Sequence, residues 1–387
     1  MKARMAAATE RRWSRALPDR TDIGRILIIK WSALGDVVLA SAAFEDISRA
    51  FPEARIDLSI FPPWDRLFRH DRRFTKLIVV DARRRRSRWR AQFEWVRAVA
   101  DGNYDLVIDL QSTDHTRTLL AMLPLVGGDI RFKLGHHRHF PYNIAPPAMD
   151  AHRHALAVSR AALAAGGIVA GSPRPVLQVP TERKHAAECL LRDAGLLGQR
   201  YAVFLPGCQQ AGYLKRWGAE HYAALARELC PELVDRVLLP AGPEDRQECA
   251  RIAELAGACV VYRDNQEIVD LIPISEQAHF IVANDTGTAH VAAGSGTPMV
   301  VICGPTDPRR VRPLGPNVRT LQADLSCVNC YLKHCEHHRC MRMIEPQMVH
   351  ELLCELLAGV SSGSLPGRDV IDWRVRRDAS GGNRLAP

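Results

Sequence analysis

Short apolar runs rich in β-branched residues, separated by helix-length amphipathic stretches, recur along most of this chain, and that alternation limits its fold more than any other feature. "RILIIK" precedes a helical "DVVLASAAFEDISRAF"; "ARIDLSIF" and "KLIVVD" follow, then a helical "RAQFEWVRAVAD" and the strand "DLVIDL". Apolar strands joined by segments long enough for crossover helices predict βαβ units and a parallel sheet. A helix over "HALAVSRAALAAGG" stops at a glycine pair. The three prolines of "GIVAGSPRPVLQVPTE" then interrupt the pattern, which restarts with a helix over "ERKHAAECLLRDAG" and the runs "YAVFLPG", "RVLLPAG", "CVVY", "FIVAND" and "PMVVICG".

The expected fold class is therefore α/β, with two doubly wound Rossmann-like domains facing one another across a cleft. The expected divisions are a basic mobile extension (1–22), a first domain (23–172), a linker (173–182), a second domain (183–360) and a loose tail (361–387). No apolar run reaches the roughly 18 residues of a membrane span. The basic first 22 residues have no continuous apolar core of a secretory leader. Eleven cysteines without such a leader predict a reducing compartment and mostly free thiols. The net charge of +9 favours anionic partners: nucleic acid, phosphorylated sugars or an acidic membrane face.

The chemistry-bearing residues follow strands, at the edge where open α/β sheets bind ligands. Asp36 ends "SALGD" after the first strand; alone it reads equally well as a helix cap. Asn284-Asp285-Thr286-Gly287 follows "FIVA" and opens a small-residue helix, whose free N–H groups can receive a phosphate. Thr286 and His290, four apart, share one helix face. In "LPGCQQAGYLKRW", Lys215 can neutralise a diphosphate and Trp217 can anchor the loop; a solvated basic turn is the plainer reading. Glu244 follows another strand, where a carboxylate accepts from ribose hydroxyls or simply favours the first turn of a helix.

With these motifs the sequence resembles the bacterial ADP-heptose:lipopolysaccharide heptosyltransferases, inverting glycosyltransferases of family 9 with the GT-B fold. The likeness rests on "ILIIKWSALGDVVLASAAFEDISRAFPEARIDL", "YDLVIDLQ", "LPG…KRW" and above all "NDTGTAHVAAGSGTPMVVICGPTDP". It implies that Asp36 is the catalytic base facing the acceptor, Lys215 the donor-diphosphate lysine and Glu244 the acid for the nucleoside ribose. It further implies that Asp285, Thr286, Gly287 and His290 form the donor-sugar and phosphate turn. Where relatives carry hydroxyl residues before the lysine, this chain has Cys208-Gln209-Gln210-Ala211. The amides of Gln209 and Gln210 can still donate to phosphate oxygens. The physical chemistry agrees: inversion needs a base on the acceptor hydroxyl, and a lysine with a helix N-terminus can stabilise the departing diphosphate. No paired metal carboxylates accompany either phosphate candidate, so metal is expected to be dispensable and no cofactor is expected beyond the substrate, ADP-heptose.

Two further clusters remain. "DARRRRSRWRAQFEW" concentrates arginines that read as a solvated turn, a nucleic-acid patch or a site for an acidic saccharide. Given the resemblance, Arg85 and Arg88 are expected to bind the acceptor, with Lys133 and Arg138 of "FKLGHHRHF" as a second wall. "CVNCYLKHCEHHRC" spaces Cys327, Cys330, Cys335 and Cys340 as C-x2-C-x4-C-x4-C. That is a donor set for a structural metal, but the spacing matches no standard finger and free thiols in a surface loop are the preferred reading.

The expected function is heptose transfer from ADP-heptose to an acidic glycolipid, the lipopolysaccharide inner core. The expected place is the cytoplasm, peripheral to the inner membrane, with no nucleic-acid partner. A related transferase with another nucleotide sugar is the alternative. A basic nucleic-acid or membrane-surface binding protein is the third reading, but it would not need Asp36, Lys215 and Asp285 together.

Overall fold

The computed structural model describes residues 16–79, 88–148, 153–208, 210–264, 266–362, 372–377 and 383–386. Its contacts divide the chain into two units. The first comprises Met1–Ala33 and Ala40–Ser172, and the second Leu34–Leu39 and Pro173–Pro387.

In the first unit, β1 (Arg25–Ile29), β2 (Arg55–Ile60), β3 (Lys76–Val79), β4 (Leu106–Asp109) and β5 (Phe132–Leu134) form one sheet. Its order is β3-β2-β1-β4-β5, and every neighbouring pair is parallel. Ile28 of β1 stands opposite Leu58 on one side and Ile108 on the other. The strand order reverses between β1 and β4, the switch point at which doubly wound sheets leave room for a ligand. Among the described residues, α1 (Leu34–Ala50), α2 (Arg88–Asp101) and α3 (Asp114–Ala121) lie between strands, and α4 (Ala155–Ala165) follows β5. Thr113 caps α3 through its hydroxyl, and Thr116 reciprocates. Trp31 and Trp95 are buried in one core with Val99, Leu119 and Leu120. Both indole N–H groups donate to Ser59 Oγ, at 2.9 and 2.8 Å, which satisfies two polar atoms that burial would otherwise penalise.

The second unit holds an eight-stranded sheet of β6 (Tyr201–Leu205), β7 (Arg236–Pro240), β8 (Val260–Arg263), β9 (Phe280–Asn284), β10 (Met299–Cys303), β11 (Val318–Ala323), β12 (Asp372–Arg377) and β13 (Asn383–Ala386). The order is β13-β12-β11-β10-β9-β6-β7-β8, parallel except for the β12–β13 pair. Its switch point lies between β6 and β9, whose residues are all buried. The helices are α5 (Thr181–Asp193), α6 (Ala219–Leu229), α7 (Arg246–Ala256), α8 (Leu271–Glu276), α9 (Gly287–Ala293), α10 (Pro308–Val311), α11 (Arg339–Arg342) and α12 (Pro346–Ser361). Among the described residues no helix is long and apolar enough to cross a membrane.

Within the expected extension and tail, the described residues hold structure. In the N-terminal stretch Leu17 is buried and its N–H donates to the Gly166 carbonyl at 2.9 Å. In the C-terminal stretch β12 pairs in parallel with β11, and Val375 is fully buried.

Candidate active site

The loops after β6 and β9 flank the switch point of the second sheet, and they are tied together. Asn284, fully buried at the end of β9, donates to the Pro206 carbonyl at 2.5 Å and accepts from the Tyr222 hydroxyl at 3.1 Å. The loop after β6 winds into a 3-10 turn over Gln210–Lys215, which delivers Lys215 to Asp285. The ammonium donates to Asp285 Oδ2 at 3.0 Å and to the Asp285 carbonyl at 2.9 Å. Thr306, beyond β10, donates its hydroxyl to the same carboxylate oxygen at 2.5 Å.

The electrostatics favour charge on both partners. Burial pushes the Asp285 carboxyl up, but Lys215, with His290 and the Thr306 hydroxyl, outweighs it and holds the group below the usual carboxylate range. Burial likewise works against the Lys215 ammonium, and the adjacent Asp285 carboxylate reverses that, raising it. An ammonium has three donors. Asp285 takes two, and among the described residues the third is left for an anionic ligand.

A second set of side chains fixes the loop that carries Lys215. A Cβ on Gly207 would stand 2.0 Å from Asp245 Cγ, so only glycine fits there. The Asp245 carboxylate accepts from the Cys208 N–H at 3.1 Å, and Arg216 donates to the Cys208 carbonyl at 2.8 Å. Arg216 also pairs with Glu248 at 3.0 Å. Burial, only partly opposed by Arg216, pushes the Glu248 carboxyl up to about 7. Trp217 is buried, donates to the Ile344 carbonyl at 2.7 Å and anchors the end of the loop in the core. The sequence pattern gives Thr306, Asp245 and Glu248 no role, and reads Arg216 only as part of a solvated basic turn. Glu244, expected at the ribose, is exposed in the turn after β7, and the residue beside it turns inward.

Asp36 lies in the first turn of α1, within the stretch Leu34–Leu39 that groups with the second unit. There Gly35 faces the His290 ring: a Cβ would come within 2.8 Å of its Cδ2. Gly287 faces Leu34 just as closely, with a Cβ 2.5 Å from Leu34 Cδ2. His290 is 5% exposed. Burial lowers its pKa to about 4 even though the Asp285 and Asp36 carboxylates pull the other way, so its imidazole is neutral at pH 7. Thr286 caps α9 with an extended backbone, its hydroxyl 2.9 Å from that of Thr288. Since α9 has only seven residues, the main positive charge here is Lys215 rather than a helix dipole.

At the switch point of the first sheet, the Gln111 side-chain carbonyl accepts from the Trp31 N–H at 3.2 Å. Asp109, fully buried, accepts from the N–H groups of Gln111 and Ser112 and from the Tyr142 hydroxyl at 2.5 Å. Burial pushes its carboxyl up.

The remaining candidates are dispersed. Gln209 and Arg85 lie outside the described residues; Gln210 opens the 3-10 turn and Arg88 opens α2. Lys133 sits within β5 and turns its ammonium to the Ile130 carbonyl, while Arg138 is exposed in the loop that follows. Cys327, Cys330, Cys335 and Cys340 are free thiols.

Residues 93–340, well over half of the chain, match the model of glycosyltransferase family 9 (heptosyltransferase). The chain belongs to this family. It is therefore an enzyme that transfers glycosyl groups. Among its relatives, lipopolysaccharide heptosyltransferase 1 of Pseudomonas aeruginosa is 29% identical over 81% of this chain and 88% of its own length. Lipooligosaccharide heptosyltransferase 2 of Haemophilus influenzae is 31% identical over 48% of this chain, and the match spans about half of that relative, 56%. In structure the chain is similar to a family 9 glycosyltransferase from Veillonella parvula, with TM-score 0.76, 21% identity, and coverage of 89% of this chain and 99% of that one. Escherichia coli heptosyltransferase WaaC, solved with ADP-2-deoxy-2-fluoro heptose, follows at TM-score 0.65 and 22% identity, covering 86% and 99%. These likenesses support the two-sheet GT-B fold.

Proposed function

We propose that this family 9 enzyme transfers a heptose from ADP-heptose to an acidic sugar of the lipopolysaccharide inner core, with inversion at the anomeric carbon. The observation that carries the reading is the charged Lys215–Asp285 pair at the switch point of the second sheet, with a lysine donor left for a diphosphate. Relatives described as lipopolysaccharide heptosyltransferases, and a neighbour solved with an ADP-heptose analogue, support the same donor and acceptor.

In this mechanism Asp36 takes the proton of the acceptor hydroxyl as its oxygen attacks the anomeric carbon. The bond from that carbon to the β-phosphate oxygen breaks, and its electron pair leaves on ADP. Lys215 neutralises the charge that grows on the diphosphate, a stabilisation felt most in the transition state. Asp285 keeps the ammonium charged and aimed. His290, neutral at pH 7, offers a hydrogen bond to a sugar hydroxyl without adding a charge that would compete with Lys215. Glu244 receives the ribose hydroxyls, while Thr286 and Gly287 line the donor turn. The arginine run, with Lys133 and Arg138, meets the acidic acceptor, and the net charge of +9 suits work against the anionic face of the inner membrane.

The test is a panel of nucleotide sugars offered with a deacylated inner-core acceptor, scored by nucleoside diphosphate release. ADP release from ADP-heptose alone is expected. Turnover of a different nucleotide sugar, with ADP-heptose inert, would transfer the reading to that donor.

A further inference from the structure

We propose that Gln322 is a positioning residue for glycosyl transfer: it holds the Thr306 hydroxyl on Asp285, and through that bond the aim of Lys215, while Arg374 of β12 fixes its own orientation. The inference rests on the reading of Lys215 as the diphosphate lysine. Gln322 lies near the end of β11, in register with Cys303 on one side and Arg374 on the other. It is 1% exposed, a placement that a polar side chain tolerates when its hydrogen bonds are made. Cys303 is the last residue of β10, and the chain leaves the sheet there as the loop Gly304-Pro305-Thr306.

The Gln322 amide is bonded through both its nitrogen and its oxygen. Nε2 donates to the Gly304 carbonyl at 3.0 Å, to the Thr306 carbonyl at 2.9 Å and to Asn329 Oδ1 at 3.0 Å. Oε1 accepts from Arg374 Nη1 at 2.5 Å. Carbonyl oxygens only accept and a guanidinium only donates, so the amide fits in one orientation. The Pro305 carbonyl, between the two that Gln322 takes, accepts from the Tyr331 N–H at 3.0 Å. Each carbonyl of the loop is thereby fixed. Close packing adds to this: a Cβ on Gly304 would stand 3.3 Å from the carbonyl oxygen of Leu214 and 2.7 Å from Met341 Sδ.

What this loop delivers is one hydroxyl. Thr306 is 7% exposed, and its Oγ1 donates to Asp285 Oδ2 at 2.5 Å, the same oxygen that Lys215 Nζ reaches at 3.0 Å. A chain of hydrogen bonds thus runs from Arg374 through Gln322, Thr306 and Asp285 to Lys215. Without the Gln322 donors, two buried carbonyls lose their partner and the loop shifts to recover one. The hydroxyl then leaves Asp285 Oδ2, the carboxylate is free to rotate, and the ammonium follows it. A displaced ammonium still attracts a bound diphosphate, but it no longer meets the charge that grows at the departing oxygen.

The experiment measures kcat and ADP affinity for Gln322→Met, Thr306→Val, their double variant, Arg374→Met and Lys215→Met, with the donor and acceptor that the wild type turns over. Methionine keeps the volume of Gln322 and removes its donors. Gln322→Met should lower kcat about 10- to 100-fold while the ADP dissociation constant changes by less than about threefold. The double variant should lose no more than Thr306→Val alone, because Gln322 acts through that hydroxyl. Arg374→Met, at a partly buried position, should give a smaller loss in the same direction. Tyr201→Phe removes a buried hydrogen bond to the Ile274 carbonyl at the start of β6; it controls for lost stability and should keep wild-type turnover. Wild-type kcat in a folded Gln322→Met, additive losses in the double variant, or an equal loss in Tyr201→Phe would overturn the proposal. Should Gln322→Met not fold, wild-type kcat in Arg374→Met overturns it instead. Wild-type kcat and ADP affinity in Lys215→Met would overturn the underlying reading of that lysine. Impairment there, with none in Gln322→Met, removes only the role of Gln322.

Discussion

Lys215→Met removes the cation from a carboxylate that is 3% exposed. Stripping one partner from a buried ion pair costs about 3–5 kcal/mol, because the other charge stays buried without compensation. Here the Thr306 hydroxyl still serves Asp285, and Lys215 itself keeps 27% exposure, so the low end applies. About 3 kcal/mol corresponds to about a 150-fold loss in the folding equilibrium. Adding Asp285→Asn should recover much of it, since the orphaned charge disappears. The pH dependence has a definite sign. Asp285 is depressed in the folded wild type, so its contribution is present above the unfolded carboxylate value and fades as pH falls through the folded one. In Lys215→Met, burial is opposed only by His290 and the Thr306 hydroxyl, so the group rises relative to the wild type and the variant gains on the wild type as the solution is acidified. Urea titrations at pH 7.5 and pH 4 on both variants measure this. A loss under about 1 kcal/mol at pH 7.5, or strict additivity in the double variant, would refute a coupled buried pair. ADP binding supplies an independent readout: losing a charge-assisted contact of about 2 kcal/mol should weaken it about 30-fold.

Gly207→Ala puts a methyl group 2.0 Å from the Asp245 carboxyl carbon, so ADP affinity should fall at least tenfold in thermal-shift titration, and Asp245→Ala in the same chain should restore part of it. Glu248 titrates near 7 in the folded protein, above its unfolded value. Stability should therefore decline as pH rises from 5 to 8, and Glu248→Gln should flatten that decline in denaturant titrations.

The sheets were legible because their strands are apolar throughout and separated by helix-length crossovers. The exceptions have physical reasons. The three residues of β5 are too few for a periodic signal, β11, "VRTLQA", mixes polar with apolar residues, and β12, "DWRVRR", and β13, "NRLA", carry charge among their apolar residues. Helix α3 is marked mainly by its threonine cap, and α12 begins on Pro346 with no capping side chain to mark its start. The placement of Asp285, Lys215 and Asp36 after strands was readable from the alternation, while the roles assigned to them rest on the family resemblance. Thr306, Arg216, Asp245 and Glu248 were not readable, since their roles depend on which loops lie side by side. Asp245 differs from Glu244 only by which of two adjacent acids turns inward, and sequence pattern holds no signal for that choice.

The transfer mechanism rests on Asp36 as the base. The most direct measurement is turnover of Asp36→Asn with saturating ADP-heptose and inner-core acceptor, compared with the wild type at the same pH. The account predicts a fall of about 10²- to 10⁴-fold, the range for loss of a general base, in a protein that folds and binds ADP as the wild type does. Turnover within a few-fold of the wild type would contradict it and remove Asp36 from the chemistry.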